Sequence, residues 1–321
     1  MIPHGEAAVR SPPVIPARMP TEVVARYILH PELSAVWTEG ASDRRFFSWH
    51  FHQLGIAGVD VNEIGDLDVA SVDEAEFTSR GLFRHCRRDE LIVFSCIVAS
   101  AGVSANVVAV ADRDRHDRFL GAPSNANLLF TDFRDLLMYA FDARPVAKLF
   151  GLPCGFAPDH ESAFVLSSEV LAWLSPLLRE LCALHDAMEV LEWRGAKVAL
   201  RKYLAYDKAG TRLAFDRAGY VRALLATNNQ MSAKATFEAE VSRRLMLPGV
   251  DRHHIRGHTF LEVLEFFLLK RLGSHRAGVA AGLCQGLMAS LETAWLTPSP
   301  LFLALTERFG NERERRPSGK P

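Results

Sequence analysis

The chain has 321 residues, is 49% hydrophobic and 23% charged, and carries a formal net charge of −1. That composition is ordinary for a soluble globular protein with a sizeable core, and it excludes a global basic excess, so any contact with nucleic acid must come from local patches. Five scattered cysteines (Cys86, Cys96, Cys154, Cys182 and Cys284), odd in number and without a CxxC pair, argue against a disulfide framework or a zinc site and for a reducing cytosol.

Length suggests two domains, or one core with a large elaboration. Residues 1–20 hold five prolines and little apolar periodicity, and no charged-then-apolar signal pattern opens the chain. Thr21 caps a short helix that Pro31 ends near His30. Ser34–Thr38 is the first strand, and Ser42 is placed to cap a helix from Asp43 to Leu54, closed by Gly55. Val59–Ile64 alternates as a second strand, stopped by Gly65. Leu91–Ala111 carries no charge over 21 residues, but Ser95, Ser100, Gly102, Ser104 and Asn106 break it into a buried helix, a turn and a buried strand rather than a membrane span. Strand, helix, strand, helix, strand predicts parallel pairing through right-handed crossovers.

Asn127–Phe130 reads as a short strand, and Thr131 is placed to cap a helix with an acidic first turn, Asp132-Phe133-Arg134-Asp135. Beyond Pro145 helical patterns dominate. One covers 168–190, with a kink or break expected at Ser175 because Pro176 follows. Others run over 232–246, 259–272, 278–295 and 299–309, while 196–206 and 211–215 suit a hairpin. The expected organisation is a leader and short helix at 1–30, an α/β core at 31–145, a mainly helical C-terminal domain at 146–310 and a disordered tail at 311–321.

Two apolar runs end abruptly in carboxylates, Val36-Trp37-Thr38-Glu39-Gly40 and Val107–Ala111 followed by Asp112-Arg113-Asp114. Ligands of parallel α/β sheets bind just outside the carboxyl ends of the strands. Adjacent strands would bring Glu39, Asp112 and Asp114 to one crevice, where a hard divalent cation relieves their repulsion. Gly40 has no side chain to block a phosphate or metal. The spacing of Asp112 and Asp114 puts both on one side of extended backbone. Asp43 is either a member of this group or only the first-turn acid of its helix. Arg44, Arg45, Arg113 and Arg115 are phosphate-binding candidates or surface arginines. Arg252-His253-His254-Ile255-Arg256 with His258 is the densest basic cluster, either a nucleic-acid contact or a solvated loop.

Glutamate-glycine after a first strand and Asp-x-Asp after a later one resemble the TOPRIM domain of topoisomerases, bacterial primases and several nucleases, over residues 33–142. Thr38–Phe47, Asp112–Asp114, Thr131–Asp135 and Arg256-Gly257-His258-Thr259 resemble more closely a TOPRIM-like bacterial family that includes AriB, the nuclease effector of the PARIS anti-phage system. The resemblance implies a TOPRIM-like parallel sheet flanked by helices and a cytoplasmic endonuclease using Mg²⁺ (with Mn²⁺ as the alternative). Glu39, Asp112 and Asp114 would be catalytic and metal-ligating, or Glu39 a general base. The substrate would be nucleic acid, tRNA included, with an ABC- or AAA-type ATPase partner, a homodimer as an option, and no membrane. Two departures stand out. Leu136 and Leu137 occupy positions where the family carries a glutamate, so Asp132 or Asp135 would have to substitute. Thr259 stands where an aspartate is usual. A non-catalytic regulatory or scaffold subunit, or a DNA-processing TOPRIM nuclease, is the alternative.

Overall fold

Strand β1 (Ser34–Thr38) is buried along its whole length, so both its faces must be covered. In the computed structural model, which describes residues 18–114, 125–151, 154–193, 198–207, 212–272 and 282–310, β1 is central. It pairs in parallel with β2 (Val59–Glu63), from Ser34 opposite Val59 to Thr38 opposite Glu63. On its other side Ala35 lies opposite Val107 of β3 (Val107–Ala111). β4 (Leu128–Phe130) continues the parallel sheet beyond β3, giving the order β2-β1-β3-β4.

Period-two alternation sorts the side chains. Ala35, Trp37, Val107, Ala109 and Ala111 join helices α1 (Pro20–Leu29) and α4 (Arg87–Ser100) in one apolar cluster. Trp37 stacks at a tilt on Phe94, 4.9 Å between ring centres, and donates from Nε1 to Tyr27 at 3.1 Å. Val36, Val108 and Val110 face the opposite way, toward α2 (Ala41–Gln53) and the helices of the second half. The connections β1-α2-β2 and β2-α4-β3 therefore lie on opposite faces, as successive right-handed crossovers in opposite directions require. Between α4 and β3 the chain turns at Gly102, whose φ of 69° is the left-handed conformation a glycine adopts without strain. A short helix α3 (Glu74–Thr78) precedes α4. No described helix is long and apolar enough to cross a membrane.

The second half covers the α2 face. α5 (Ala143–Gly151) leads into α6 (His160–Val190), a single helix of 31 residues whose buried positions 163, 167, 170, 174, 178 and 181 follow the helical period. The expected start at 168 and break at Ser175 are thus corrected. Ala163 and Ser167 are weak sequence markers, and Pro176 sits on the exposed side while Leu174, Leu178 and Leu181 hold both flanking turns. Strands β5 (Leu204–Asp207) and β6 (Arg212–Phe215) pair antiparallel. Then come α7 (Arg217–Thr227), α8 (Lys234–Leu245), α9 (Asp251–His254) and α10 (Gly257–Leu272).

The helix expected over 278–295 is instead α11 (Leu283–Ala289) and α12 (Thr293–Leu296), with 273–281 outside the described residues. At the break, Ser290 donates its hydroxyl back to the Gly286 carbonyl at 2.7 Å and Lys148 binds Glu292 at 2.6 Å. Helix α13 (Pro300–Gly310) closes the described chain.

Two further expectations change at the sheet's carboxyl edge. α2 begins at Ala41 with Gly40, not Ser42, in the cap position. Asp43 in its first turn accepts from the Gly40 amide, half of a capping box. No α-helix follows Thr131. Its hydroxyl accepts from the Arg113 amide at 3.0 Å and donates to the Phe133 carbonyl at 2.8 Å, which spends the cap on a turn. A 3₁₀ turn over Leu136–Ala140 forms instead, capped by Asp135 accepting from the Met138 amide at 3.2 Å.

Candidate active site at the carboxyl edge of the sheet

Strands β1 and β3 are neighbours, so the residues after them meet. Glu39 Oε1 accepts from the backbone amide of Asp112 at 2.7 Å. The Asp112 side chain in turn accepts from the amide of Leu136 at 3.1 Å. Asp135 accepts from the amide of Gly257 at 2.6 Å, tying the first turn of α10 to this edge. Glu39, Asp43, Asp112 and Asp135 are all half-buried, ringed by protein yet partly open to solvent.

Their charges oppose one another. Burial first, then Asp43 and Asp114, pushes Glu39 up to about 8 against the opposing amide of Asp112. Asp43 is pushed up to about 6 by burial, with Asp135 and Glu63 adding to it. Asp112 lies well above the usual carboxylate range through burial and then Glu39, Asp135, Asp43 and Asp114. Asp135 is raised by burial and by Asp114, opposed by the Gly257 amide. Arg88 reaches in from α4 and donates Nε to the Asp112 carbonyl at 2.8 Å, with a second arm on Asp89 at 3.2 Å.

Asp114 has a different principal partner. It pairs with Arg134 at 2.8 Å, and Arg134 also grips Asp186 of α6 with two arms at 2.9 and 2.8 Å. Burial alone would raise Asp186, but hydrogen bonds and charge from Arg134, and then from Arg256, hold it below the usual carboxylate range. Arg256 is paired with Asp186 and Glu189, so that member of the basic cluster is spent on internal ion pairs, while His253 and His258 are exposed. Arg252 binds Asp142 at 2.8 Å and lies over the Phe133 ring at 5.0 Å.

The remaining sequence candidates divide cleanly. Asp132 accepts from the Tyr139 hydroxyl at 2.7 Å and from the Leu301 amide at 3.1 Å, serving the N-terminus of α13. Arg44 pairs with Asp66 at 3.6 Å. Exposed Arg45 donates to the Ala41 carbonyl of its own helix at 3.2 Å, and exposed Arg113 donates to the Thr131 carbonyl at 2.9 Å. His258 is exposed and lines a separate cavity. Arg115 lies outside the described residues. Leu136 is core and Leu137 lies against it, so neither position offers an acid. Sequence reasoning did not find Arg88 or the Arg134–Asp186–Arg256 chain. Locally they look like ordinary surface charges, Arg88 in the run Arg87-Arg88-Asp89-Glu90 and Arg134 and Arg256 in polar segments.

No three of the described His, Cys, Asp and Glu residues form a ready-made metal cage. The donor set nevertheless fits a hard divalent cation in kind. These are carboxylate oxygens, partly open, carrying more negative charge than Arg88 offsets. Mg²⁺ in particular is held by one or two carboxylates with water and substrate phosphate, rather than by an all-protein cage. No family model matches the chain, and none of the curated proteins matches it.

Proposed function

We propose that this protein is a TOPRIM-like, divalent-cation-dependent endonuclease, with Mg²⁺ or Mn²⁺ held by Glu39, Asp112 and Asp135. The observation that carries this reading is the meeting of Glu39, Asp43, Asp112 and Asp135 at the carboxyl edge of a parallel sheet, where ligands of such sheets bind. The cation, when bound, would supply charge stabilisation at a phosphoryl group and a more acidic water.

The protein's own contribution is orientation. The Asp112 amide fixes one Glu39 oxygen, the Leu136 amide fixes Asp112, and the Gly257 amide fixes Asp135. Alternatively Glu39 serves as a general base toward an attacking water, the second role the resemblance implies. Gly40 leaves open space, since a Cβ there would meet nothing within 4 Å. Exposed Arg45 and Arg113 flank this edge as phosphate contacts. Asp135 takes the place of the glutamate absent at Leu136 and Leu137, and Asp114 acts through Arg134 as a positioning residue. In this reading the chain is a cytoplasmic effector of anti-phage defence, able to act on tRNA and restrained by an ABC-type ATPase, as the resemblance of Thr38–Phe47 implies.

The test is cleavage of tRNA, single-stranded DNA and duplex DNA by the purified chain with Mg²⁺ or Mn²⁺. Glu39→Gln and Asp112→Asn should each lower the rate by about 100-fold or more, roughly 2.7 kcal/mol of transition-state stabilisation. Both variants should melt like wild type. Metal-dependent cleavage that survives either substitution sinks the proposal. A well-folded chain that cuts none of the substrates favours the non-catalytic subunit, the reading suggested by Asp114 being paired with Arg134.

A further inference from the structure

A cavity of about 530 Å³ lies in the second half of the chain, lined from α6, α7 and α10 and well within the size of small-molecule sites. None of Glu39, Asp43, Asp112 and Asp135 lines it. Leu224 and Trp193 form apolar wall, and the indole of Trp193 is fixed by stacking on Phe237, 5.1 Å between ring centres.

The polar groups are few. His185 Nε2 is hydrogen-bonded to the Tyr220 hydroxyl at 3.0 Å. Burial, and then the charge of Arg256, pushes His185 down to about 4, with Asp186 and Glu189 opposing. Burial, and then Glu262, pushes Tyr220 up to about 12. Thr259 and exposed His258 also line the cavity. Arg256 spends its terminal nitrogens on Asp186 and Glu189, while its buried Nε has no hydrogen-bond partner among the described residues. Half-buried Glu262 makes no hydrogen bond or ion pair to the described residues.

We propose that this cavity binds an uncharged nitrogen heterocycle of nucleobase or nucleoside size, with Glu262 accepting from a ring N–H. An acceptor beside apolar, aromatic walls suits such a ring, and unlike a phosphate or an ammonium it brings no charge to desolvate. Arg256 shares Asp186 with Arg134, which holds Asp114, so a chain of ion pairs runs from the cavity to Asp114, two residues beyond Asp112. The inference does not rest on the nuclease reading, because its test measures binding alone.

Isothermal titration calorimetry of the full chain with adenosine, guanosine, cytidine and uridine should give saturable binding for at least one. Glu262→Leu and Leu224→Trp should each weaken that binding about tenfold or more, by losing the acceptor and by filling the space. Leu224→Trp can fail to fold, so Glu262→Leu, at a half-buried position, is judged alongside its melting curve. A single-stranded oligonucleotide weakened by the same substitutions would identify the ligand as a base of a strand. An effect confined to the nucleosides would identify a free nucleoside. The proposal is overturned if none of the four nucleosides binds at about 1 mM, if Glu262→Leu leaves binding unchanged, or if inorganic phosphate or spermidine displaces the nucleoside.

Discussion

Asp135 is held by the backbone amide of Gly257, a residue 122 positions away in the chain. A Cβ at Gly257 would come within 2.6 Å of an Asp135 oxygen and 2.8 Å of the Leu137 Cβ, closer than real contacts allow. Gly257→Ala should therefore cost about 1–3 kcal/mol, the range of overpacking, and disturb the carboxylate site with it. Chemical denaturation measures the cost, and unchanged stability would show that α10 can shift freely. His50 makes a second case at this scale. It is fully buried among Phe46, Trp49, Phe51 and Phe302, and neither ring nitrogen has a partner among the described residues. Burial pushes it down to about 4 from an ordinary value of 6.5. The unfolded chain thus binds a proton that the folded chain refuses, and stability rises with pH across that window. The His50 contribution is complete above about 6.5 and is lost as pH falls toward about 4, a span worth up to roughly 3 kcal/mol. His50→Leu should flatten the acid limb of the stability profile, and equal slopes in the two proteins would contradict the assignment.

Helix α13 is set by one carboxylate at its start. Asp132 accepts the Leu301 amide, satisfying an otherwise orphaned first-turn donor and placing negative charge at the positive end of the helix. Asp132→Ala should cost about 1–2 kcal/mol and loosen α13. It should leave metal-dependent cleavage within a few-fold of wild type, because this carboxylate is spent on the helix. A loss as large as that of Asp112→Asn would return Asp132 to the metal site.

At the scale of the whole molecule, a single apolar cluster runs from the sheet into the second half. Phe302 of α13 touches Phe47 of α2 at 6.1 Å, His50 at 4.7 Å and Tyr139 at 5.1 Å between ring centres. Phe302 is completely buried. Phe302→Ala should cost about 3–5 kcal/mol. It should lower the stability of the carboxylate edge together with the helices, in a transition common to hydrogen exchange on α2 and on α13. Independent transitions in the two halves would refute that coupling.

Short-range chemistry was legible in the sequence. β1, its parallel neighbours and the helices between them follow from apolar runs of the right length, from Pro31 and Gly55, and from alternation that needs no partner to be read. So does the placement of Glu39 and Asp112 at strand ends, since strand termini are local features. What the sequence could not display is any interaction whose two halves lie far apart. Thr131 looks like a helix cap until the Arg113 amide takes its hydroxyl. Pro176 looks like a break until packing on both sides carries α6 through it. Asp114 looks like the twin of Asp112 until Arg134, itself fixed by Asp186 of α6, claims it. Asp43 and Asp135 join the acidic edge only because α2, the turn after β4 and the start of α10 converge there. Local sequence determined the strands and the first carboxylates. Tertiary structure decided which acids stand together, because burial and long-range ion pairing, not residue type, set the charge each one can carry.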